Sequence, residues 1–286
     1  MQARTTLAHL PTTFGPWPEH PLYDSIARWR DTAACQGWPQ QADFDRLIGH
    51  ARACSQPLPP RQRFLRDADP ELYYEMHIGS TGEVPTRGDN WHDWFNALCW
   101  LSWPRSKLAM NARQVAAING DEFRRGPRRD AGTLLDESGV IVPYCDAALA
   151  QALHDMQWRT LFVEQRAEWG TRIGAHVIGH ALLEQGLAMH IGWCGKALLL
   201  PVEEGFFRLD GAEQVDTLDK MLAARLAGDD EFAASPRELL PLPLLGIPGW
   251  WDANHDAAFY DNTAYFRPTR RAKSATEIAS SSPIIG

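Results

Sequence analysis

The chain has 286 residues, of which 44% are hydrophobic and 22% are charged, and its formal net charge is -8. A chain of this length can bury a large core, so it forms one large domain or two that share a core. The acidic balance argues against a general nucleic-acid binder, which usually carries a basic face.

The five cysteines are widely spaced and contain no Cys-x-x-Cys pair. This pattern is typical of reduced thiols in the cytosol and does not indicate a disulfide framework or a cysteine zinc site. The N-terminus lacks the apolar run of a signal peptide, and no segment approaches the ~18 apolar residues that suggest a membrane-spanning helix. We therefore expect a cytoplasmic protein with no membrane partner.

The composition divides the chain into three parts. Residues 1–22 are rich in proline and predict an extended arm that lies on the domain, and residues 23–268 predict one globular domain. Residues 269–286 are small and polar, which predicts a disordered tail. Within the domain, a short helix is expected from Ser25 and another at Gln41 to Cys54.

The least ordinary stretch of the chain is residues 87–120, which contains four tryptophans. Asn90 is a good N-cap with Asp93 three residues later, which predicts a capping-box variant and a helix to about Ser102. Pro104 ends that helix and suits the first turn of a second one, which runs to Ile118.

Polar residues in this stretch form a stripe beside an apolar face, as expected of a helix that borders a cleft. We assign His92, Asp93 and Asn96, together with His180 further along the chain, as candidate catalytic residues, because bases and hydrogen-bonding groups that meet in a cleft can move protons. The candidate substrate-binding residues are Arg87, Arg105, Lys107 and Trp91. Each of these residues also has a structural explanation, such as capping or core packing.

The segment TLLDESGVIV, residues 133–142, predicts a β-hairpin whose turn includes Glu137 and Gly139. Asp136 and Glu137 then lie at the tip, either as turn residues or as metal ligands.

A second histidine-rich stretch places His176, His180 and Glu184 four residues apart. On one helix these side chains could share a cation. Alternatively, a strand precedes a helix that starts near Gly179, and His176 then lies apart from the other two. The candidate metal ligands are His180, Glu184, Asp136 and Glu137, with a divalent metal as the cofactor that they would hold.

The rest of the chain predicts mainly helix. Asp146 caps a helix that runs to Met156, Gln157 to Trp169 continues as helix, and Glu213 to Ala227 is amphipathic. The proline-rich segment 236–268 cannot be a long helix or a central strand, so we expect it to wrap the core and close one side of a groove. We predict a mainly α fold, or α+β with one or two short β-hairpins, in a single compact domain without a Rossmann-type sheet.

Four segments in the same order resemble a known family. They are NWHDWFNALCWLSWPRSKLAMN, TLLDESG, GHALLE and PLPLLGIPGW, followed by Phe266-Arg267-Pro268. Over about residues 40–268 the chain resembles the bacterial family called domain of unknown function 3025. The resemblance implies a soluble, one-domain bacterial protein without an assigned activity, and it marks these polar positions: Arg87, Asn90, His92, Asp93, Asn96, Arg105, Lys107, Asp136, Glu137, His180 and Glu184.

Three functional hypotheses fit these patterns. The first is a hydrolase-like enzyme with a His/Asp/Asn/Glu site, which uses a metal-activated water or acid–base chemistry and binds a small or anionic substrate. The second is a non-catalytic protein that binds a peptide or small molecule in a Trp-lined groove. The third is a scaffold with Trp250 and Trp251 on a partner surface. Convergence of His92 and His180 with Asp136 or Glu137 in a concave site favours the enzyme.

Overall fold

The protein combines α-helices with two small sheets, which is a mixed α+β fold. A computed structural model describes residues 10–69, 71–119, 126–228 and 231–268. Its α-helices are α1 (Gln41–Ala53), α2 (Tyr74–Thr81), α3 (Trp91–Ser102), α4 (Pro104–Asn119), α5 (Pro127–Ser138), α6 (Ala147–His154), α7 (His180–Gln185) and α8 (Gly211–Gly228). Its strands are β1 (Arg63–Arg66), β2 (Glu83–Thr86), β3 (Gly139–Tyr144), β4 (His176–Val177), β5 (Cys194–Pro201) and β6 (Leu240–Pro243).

Short helical turns of other types connect these elements. The 3-10 turns are Pro21–Trp29, Arg166–Glu168, Gly186–Ala188, Glu204–Arg208, Pro236–Glu238, Leu244–Gly246, Asp252–His255 and Ala257–Asp261, and a π-helical turn spans Thr160–Glu164. No helix in the described ranges is both long enough and apolar enough to cross a bilayer. The predicted tail, residues 269–286, and the first nine residues of the predicted arm lie outside the described residues.

The larger sheet has the strand order β4-β3-β5-β6. Strand β3 pairs in parallel with β5 and antiparallel with β4, and β5 pairs antiparallel with β6. These partners are far apart in sequence, so no tight hairpin joins neighbouring strands in the described ranges. The proline-rich β6 lies at the sheet edge, where a missing backbone N–H is tolerated. The sheet is small and mixed, unlike the parallel sheet of a Rossmann fold.

The predicted hairpin over residues 133–142 is wrong. The first half of this segment belongs to helix α5, and β3 begins directly after it at Gly139. Pro127 suits the first helical turn, and Ala131 and Leu135, four residues apart, are both buried. Strand β3 pairs with strands elsewhere in the chain, so the short-range turn signal was misleading. Asp136 and Glu137 therefore lie in the last turn of a helix.

The central stretch folds as predicted. Helix α3 begins after Asn90, whose side chain accepts a hydrogen bond from the Asp93 backbone N–H at 2.9 Å. It ends at Ser102, and α4 starts at Pro104. The predicted apolar stripe is buried along its whole length: Trp91, Trp94, Phe95, Leu98 and Leu101. The second half of the capping box differs, because the Asp93 carboxylate binds Arg87 instead of the Asn90 backbone.

The described part of the arm packs on α3. The Phe14 ring stacks on Trp91 with centroids 4.9 Å apart, and the Trp91 indole donates a hydrogen bond to the Pro11 carbonyl oxygen at 2.9 Å. Trp17 is buried. The first helical turn starts at Pro21, four residues before the predicted start.

The histidine-rich stretch takes the strand-then-helix alternative. His176 lies in β4, and His180 is the first residue of α7. His176 therefore does not share a helix face with His180 and Glu184. Helix α7 packs against α3 and α5, and this arrangement brings His180 towards the polar faces of both helices.

Candidate functional site

A cavity of about 520 Å³ lies between α2, β2, α3, α4, α5 and the start of α7. Its volume falls within the range of ligand-binding clefts. Eight of the polar residues singled out in the sequence line this cavity: Arg87, His92, Asp93, Asn96, Lys107, Asp136, Glu137 and His180. The two histidines and the carboxylates therefore converge at this cavity, which is the arrangement that favours the enzyme hypothesis over the other two.

Two glycines bring α5 and α7 together at this cavity. A Cβ atom on Gly179 would lie 2.4 Å from the Gly139 backbone nitrogen and 2.7 Å from the Glu137 carbonyl oxygen. A Cβ on Gly139 would lie 2.2 Å from the Leu135 carbonyl oxygen. Only glycine permits so close a backbone approach. The contact places His180, the next residue after Gly179, beside the last turn of α5.

The two imidazole rings meet at one carboxylate. His92 Nε2 lies 3.1 Å from Glu137 Oε2, and His180 Nε2 lies 3.6 Å from the same oxygen. The rings are 4.4 Å apart between centroids and nearly perpendicular. One ligand atom from each of His92, Glu137 and His180 lies within 4.8 Å of the other two. Two imidazoles and one carboxylate form a donor set that suits Zn²⁺ or Fe²⁺.

The opposite nitrogen of each ring faces a second carboxylate. His92 Nδ1 lies 3.1 Å from Asp93 Oδ1, and His180 Nδ1 lies 4.0 Å from Asp136 Oδ2. His180 is 2% exposed, and no described residue makes a hydrogen bond with its Nδ1. Carboxylates behind histidine ligands are typical of metal sites, where they fix the ring orientation and the tautomer.

The two histidines have opposite protonation tendencies. Hydrogen bonds to Asp93 and Glu137 raise the pKa of His92 to about 9. Burial lowers the pKa of His180 to about 4. At neutral pH and with no cation bound, His92 is therefore an imidazolium between two carboxylates, whereas His180 is neutral. A cation held at His92 Nε2 would take the place of the proton on that nitrogen.

A bidentate ion pair closes one side of the site. Arg87 Nε and Nη2 donate to the two carboxylate oxygens of Asp93 at 3.0 and 2.7 Å, and the Arg87 backbone N–H donates at 2.6 Å. Burial opposes ionisation of Asp93, but the bonds from His92 and Arg87 hold its pKa well below the usual range. Asp93 is thus a fixed anion that orients His92.

A buried ammonium ion anchors the opposite wall. Lys107 is 2% exposed, and its Nζ donates hydrogen bonds to Asp136 Oδ1 and, at 2.8 Å, to Asn96 Oδ1. Asn96 Nδ2 in turn donates to the Tyr74 hydroxyl at 2.8 Å. Burial opposes ionisation of Asp136, but the Lys107 charge lowers its pKa. The arginine and the lysine of the described cavity wall, Arg87 and Lys107, are therefore already paired with carboxylates.

Three of the predicted site residues lie away from the cavity wall. Trp91 packs in the aromatic core beneath the arm, and the Arg105 guanidinium lies 3.4 Å from Asp219. Glu184 is half-buried and close enough to influence His92 electrostatically, but it does not belong to the three-residue ligand group. The cavity is also not Trp-lined as predicted, because Trp100 is the one tryptophan among its described wall residues. Trp250, assigned to a partner surface, is 5% exposed.

Sequence reasoning missed Tyr74 and Trp100, which line the cavity, and the Gly139–Gly179 contact. Tyr73 and Tyr74 are adjacent, and only the register of α2 shows which one faces the site. Gly139 and Gly179 were recognisable in the sequence, because Gly139 follows the helix that contains Glu137 and Gly179 precedes the helix that starts with His180.

Comparison with known families places the chain as the four sequence segments suggested. Residues 62–270 match the family model described as "Protein of unknown function (DUF3025)". The chain belongs to this family. The match begins at residue 62, whereas the resemblance seen in the sequence begins at about residue 40. All the residues that line the polar cavity lie within the matched range. No curated protein and no solved structure shows significant similarity to the chain.

Proposed function

We propose that this protein is a metal-dependent hydrolase in which His92, Glu137 and His180 hold one divalent cation. The observation that carries the proposal is that both nitrogens of the His92 and His180 rings face carboxylates. Both Nε2 atoms point at Glu137, and both Nδ1 atoms face a second carboxylate, Asp93 or Asp136. A chance cluster in a core would not require all four nitrogens to face acidic groups.

The dimensions of the cluster support this assignment. Ligand atoms around one zinc ion lie about 2.0–2.2 Å from it, so neighbouring ligands are about 3–4 Å apart. The two nitrogen–oxygen distances at Glu137 fall in that range, at 3.1 and 3.6 Å. Three protein ligands leave further coordination positions for water and substrate, as in catalytic zinc sites.

Each residue then has a defined role. A bound divalent cation would lower the pKa of a water molecule and polarise a carbonyl oxygen. His92, Glu137 and His180 supply the ligands, and Asp93 orients the His92 ring through a hydrogen bond. Asp136 lies 4.0 Å from His180 Nδ1 and acts on that ring through its charge. Lys107 neutralises Asp136, so that this carboxylate does not compete for the cation. With an ester or amide, the reaction would be R–CO–X + H₂O → R–COOH + HX, in which water adds to the carbonyl carbon, the C–X bond breaks and X takes one proton.

The charges of the wall favour a neutral substrate over the anionic one that the sequence suggested. Arg87 and Lys107 are both occupied by carboxylates, so neither offers an unpaired charge to an anion. A cytoplasmic location is part of the proposal, and it is supported by the five cysteines, which are all free thiols.

Elemental analysis of untagged protein, purified without chelator, tests the proposal. We expect about one equivalent of zinc or a similar divalent metal, lost in folded His92→Asn and His180→Asn variants. His77→Asn is the matched control, because His77 pairs with Glu83 outside the site. The metal-loaded protein is then assayed with chromogenic esters, anilides and phosphodiesters.

Three outcomes would contradict the proposal. Metal-free protein in which the histidine variants change only stability would make the cluster structural. Hydrolysis that persists without metal would assign the chemistry to His92 as an acid. Iron with oxygen consumption would indicate an oxidase, because the same donor set also serves such enzymes.

A further inference from the structure

Tyr74 is a neutral hydrogen-bonding group of the cavity that the proposed mechanism has not yet used. It is the first residue of α2, and it lines the same cavity as the candidate metal ligands. Its hydroxyl is hydrogen-bonded to Asn96 Nδ2 at 2.8 Å.

The direction of that hydrogen bond follows from Lys107. An ammonium group has donors only, so the Asn96 atom that it contacts at 2.8 Å must be the amide oxygen. The Asn96 amide nitrogen therefore faces Tyr74, and the Tyr74 oxygen is the acceptor of that bond. The two hydrogen bonds therefore run in one direction, in which Lys107 donates to Asn96 and Asn96 donates to Tyr74.

The Tyr74 proton must consequently point elsewhere. No described residue accepts it, and the Trp100 indole N–H near the same oxygen is another donor. The open side of Tyr74 is the cavity. Burial raises the pKa of Tyr74, and the nearby Asp136 charge raises it further, so the hydroxyl keeps its proton.

We propose that the Tyr74 hydroxyl donates a hydrogen bond to the carbonyl oxygen of a neutral ester or amide substrate. This inference rests on the proposed hydrolase function and assigns its substrate class. When water adds to the carbonyl carbon, an electron pair moves onto that oxygen, and a fixed donor is worth most where negative charge develops. Asn96 and Lys107 are positioning residues, because they fix the direction in which Tyr74 donates.

Tyr74→Phe tests the proposal, with Tyr73→Phe as the matched control. Tyr73 is the preceding residue, is 50% exposed, and its hydroxyl binds Arg129 outside the cavity. Both variants are loaded with zinc and assayed on the chromogenic ester or anilide that the wild type hydrolyses. We expect Tyr74→Phe to lower kcat by about 10²–10³-fold, with little change in KM or zinc content. The Tm should fall modestly, because the Asn96 amide loses its acceptor. Tyr73→Phe should match the wild type.

If Tyr74→Phe retains kcat within about threefold, the role of Tyr74 is overturned and the hydrolase proposal stands. A wild type that cleaves only phosphodiesters refutes the substrate class. If the zinc protein hydrolyses none of the probes, binding of acetohydroxamic acid, a carbonyl compound that chelates zinc as its hydroxamate anion, is measured by calorimetry. A Kd about tenfold weaker in Tyr74→Phe supports the donor, and equal Kd values refute it. Failure of the wild type to bind zinc overturns both proposals.

Discussion

Lys107 and Asp136 form the ion pair on which the cavity wall depends, so we expect Lys107→Met to destabilise the fold. The Lys107 side chain is 2% exposed and that of Asp136 is 29% exposed. Removing one partner of a fully buried pair costs about 3–5 kcal/mol, because the other charge is left without compensation. Asp136 retains some access to water, so we expect the low end of that range, about 3 kcal/mol.

The double variant Lys107→Met, Asp136→Leu isolates the interaction. Replacing both charges by apolar groups removes the unpaired charge, and such exchanges are often nearly neutral. We therefore expect the double variant to be at least about 2 kcal/mol more stable than the sum of the two single effects predicts. The assay is urea denaturation followed by tryptophan fluorescence, in the presence of a chelator so that metal affinity does not contribute. Single effects that add within about 0.5 kcal/mol would refute the pairing.

Three further predictions concern other residues. Asp219→Ala should lower the free energy of unfolding by about 3 kcal/mol without changing the zinc stoichiometry, and thermal unfolding measures the loss. The reason is that the buried Asp219 carboxylate accepts a hydrogen bond from the Ser106 backbone N–H at 2.8 Å and so links α8 to the first turn of α4. Desolvation lowers the pKa of His176 to about 4, so the folded state resists protonation and stability is lost as pH falls from about 6.5 to 4. The pKa of His180 is shifted in the same direction, so His176→Gln should make the urea midpoint fall less steeply over that window without removing the slope. Asp93→Asn should weaken zinc binding about 10–100-fold in a competition titration, because His92 loses its orienting anion.

Each of these predictions has an outcome that would contradict it. An Asp219→Ala variant as stable as the wild type would show that the α4–α8 link is dispensable. Equal pH profiles for His176→Gln and the wild type would show that His176 titrates normally in the folded state. Unchanged zinc affinity in Asp93→Asn would remove the orienting role of Asp93.

The helices of the central stretch could be predicted because their signals are local. Asn90 caps α3, Pro104 starts α4, and the apolar residues between them recur at helical spacing. The sheet could not be predicted in the same way, because β3 and β5 are separated by about fifty residues. A pairing over that distance leaves no pattern in a short window of sequence.

The candidate site was predictable residue by residue but not as an arrangement. His92, Glu137 and His180 were all candidates, although Glu137 was expected at the tip of a hairpin. Their convergence depends on the backbone contact between Gly139 and Gly179, which is a tertiary interaction. The local sequence favoured a turn at Glu137 to Gly139. Residues up to Ser138 are helical instead, because α5 buries Ala131 and Leu135 in the core and tertiary packing overrides local propensity.

Cobalt substitution tests the proposed metal site most directly, because the visible d–d absorption of Co²⁺ reports both the donor atoms and the coordination number. The account predicts that the metal-stripped protein takes up one equivalent of Co²⁺, with a spectrum typical of a four- or five-coordinate nitrogen and oxygen site. Folded Glu137→Gln and His180→Asn variants should lose that spectrum, whereas His77→Asn should keep it. A spectrum of hydrated Co²⁺ in the wild type, or an unchanged spectrum in His180→Asn, would contradict the assignment of these three residues as the metal site.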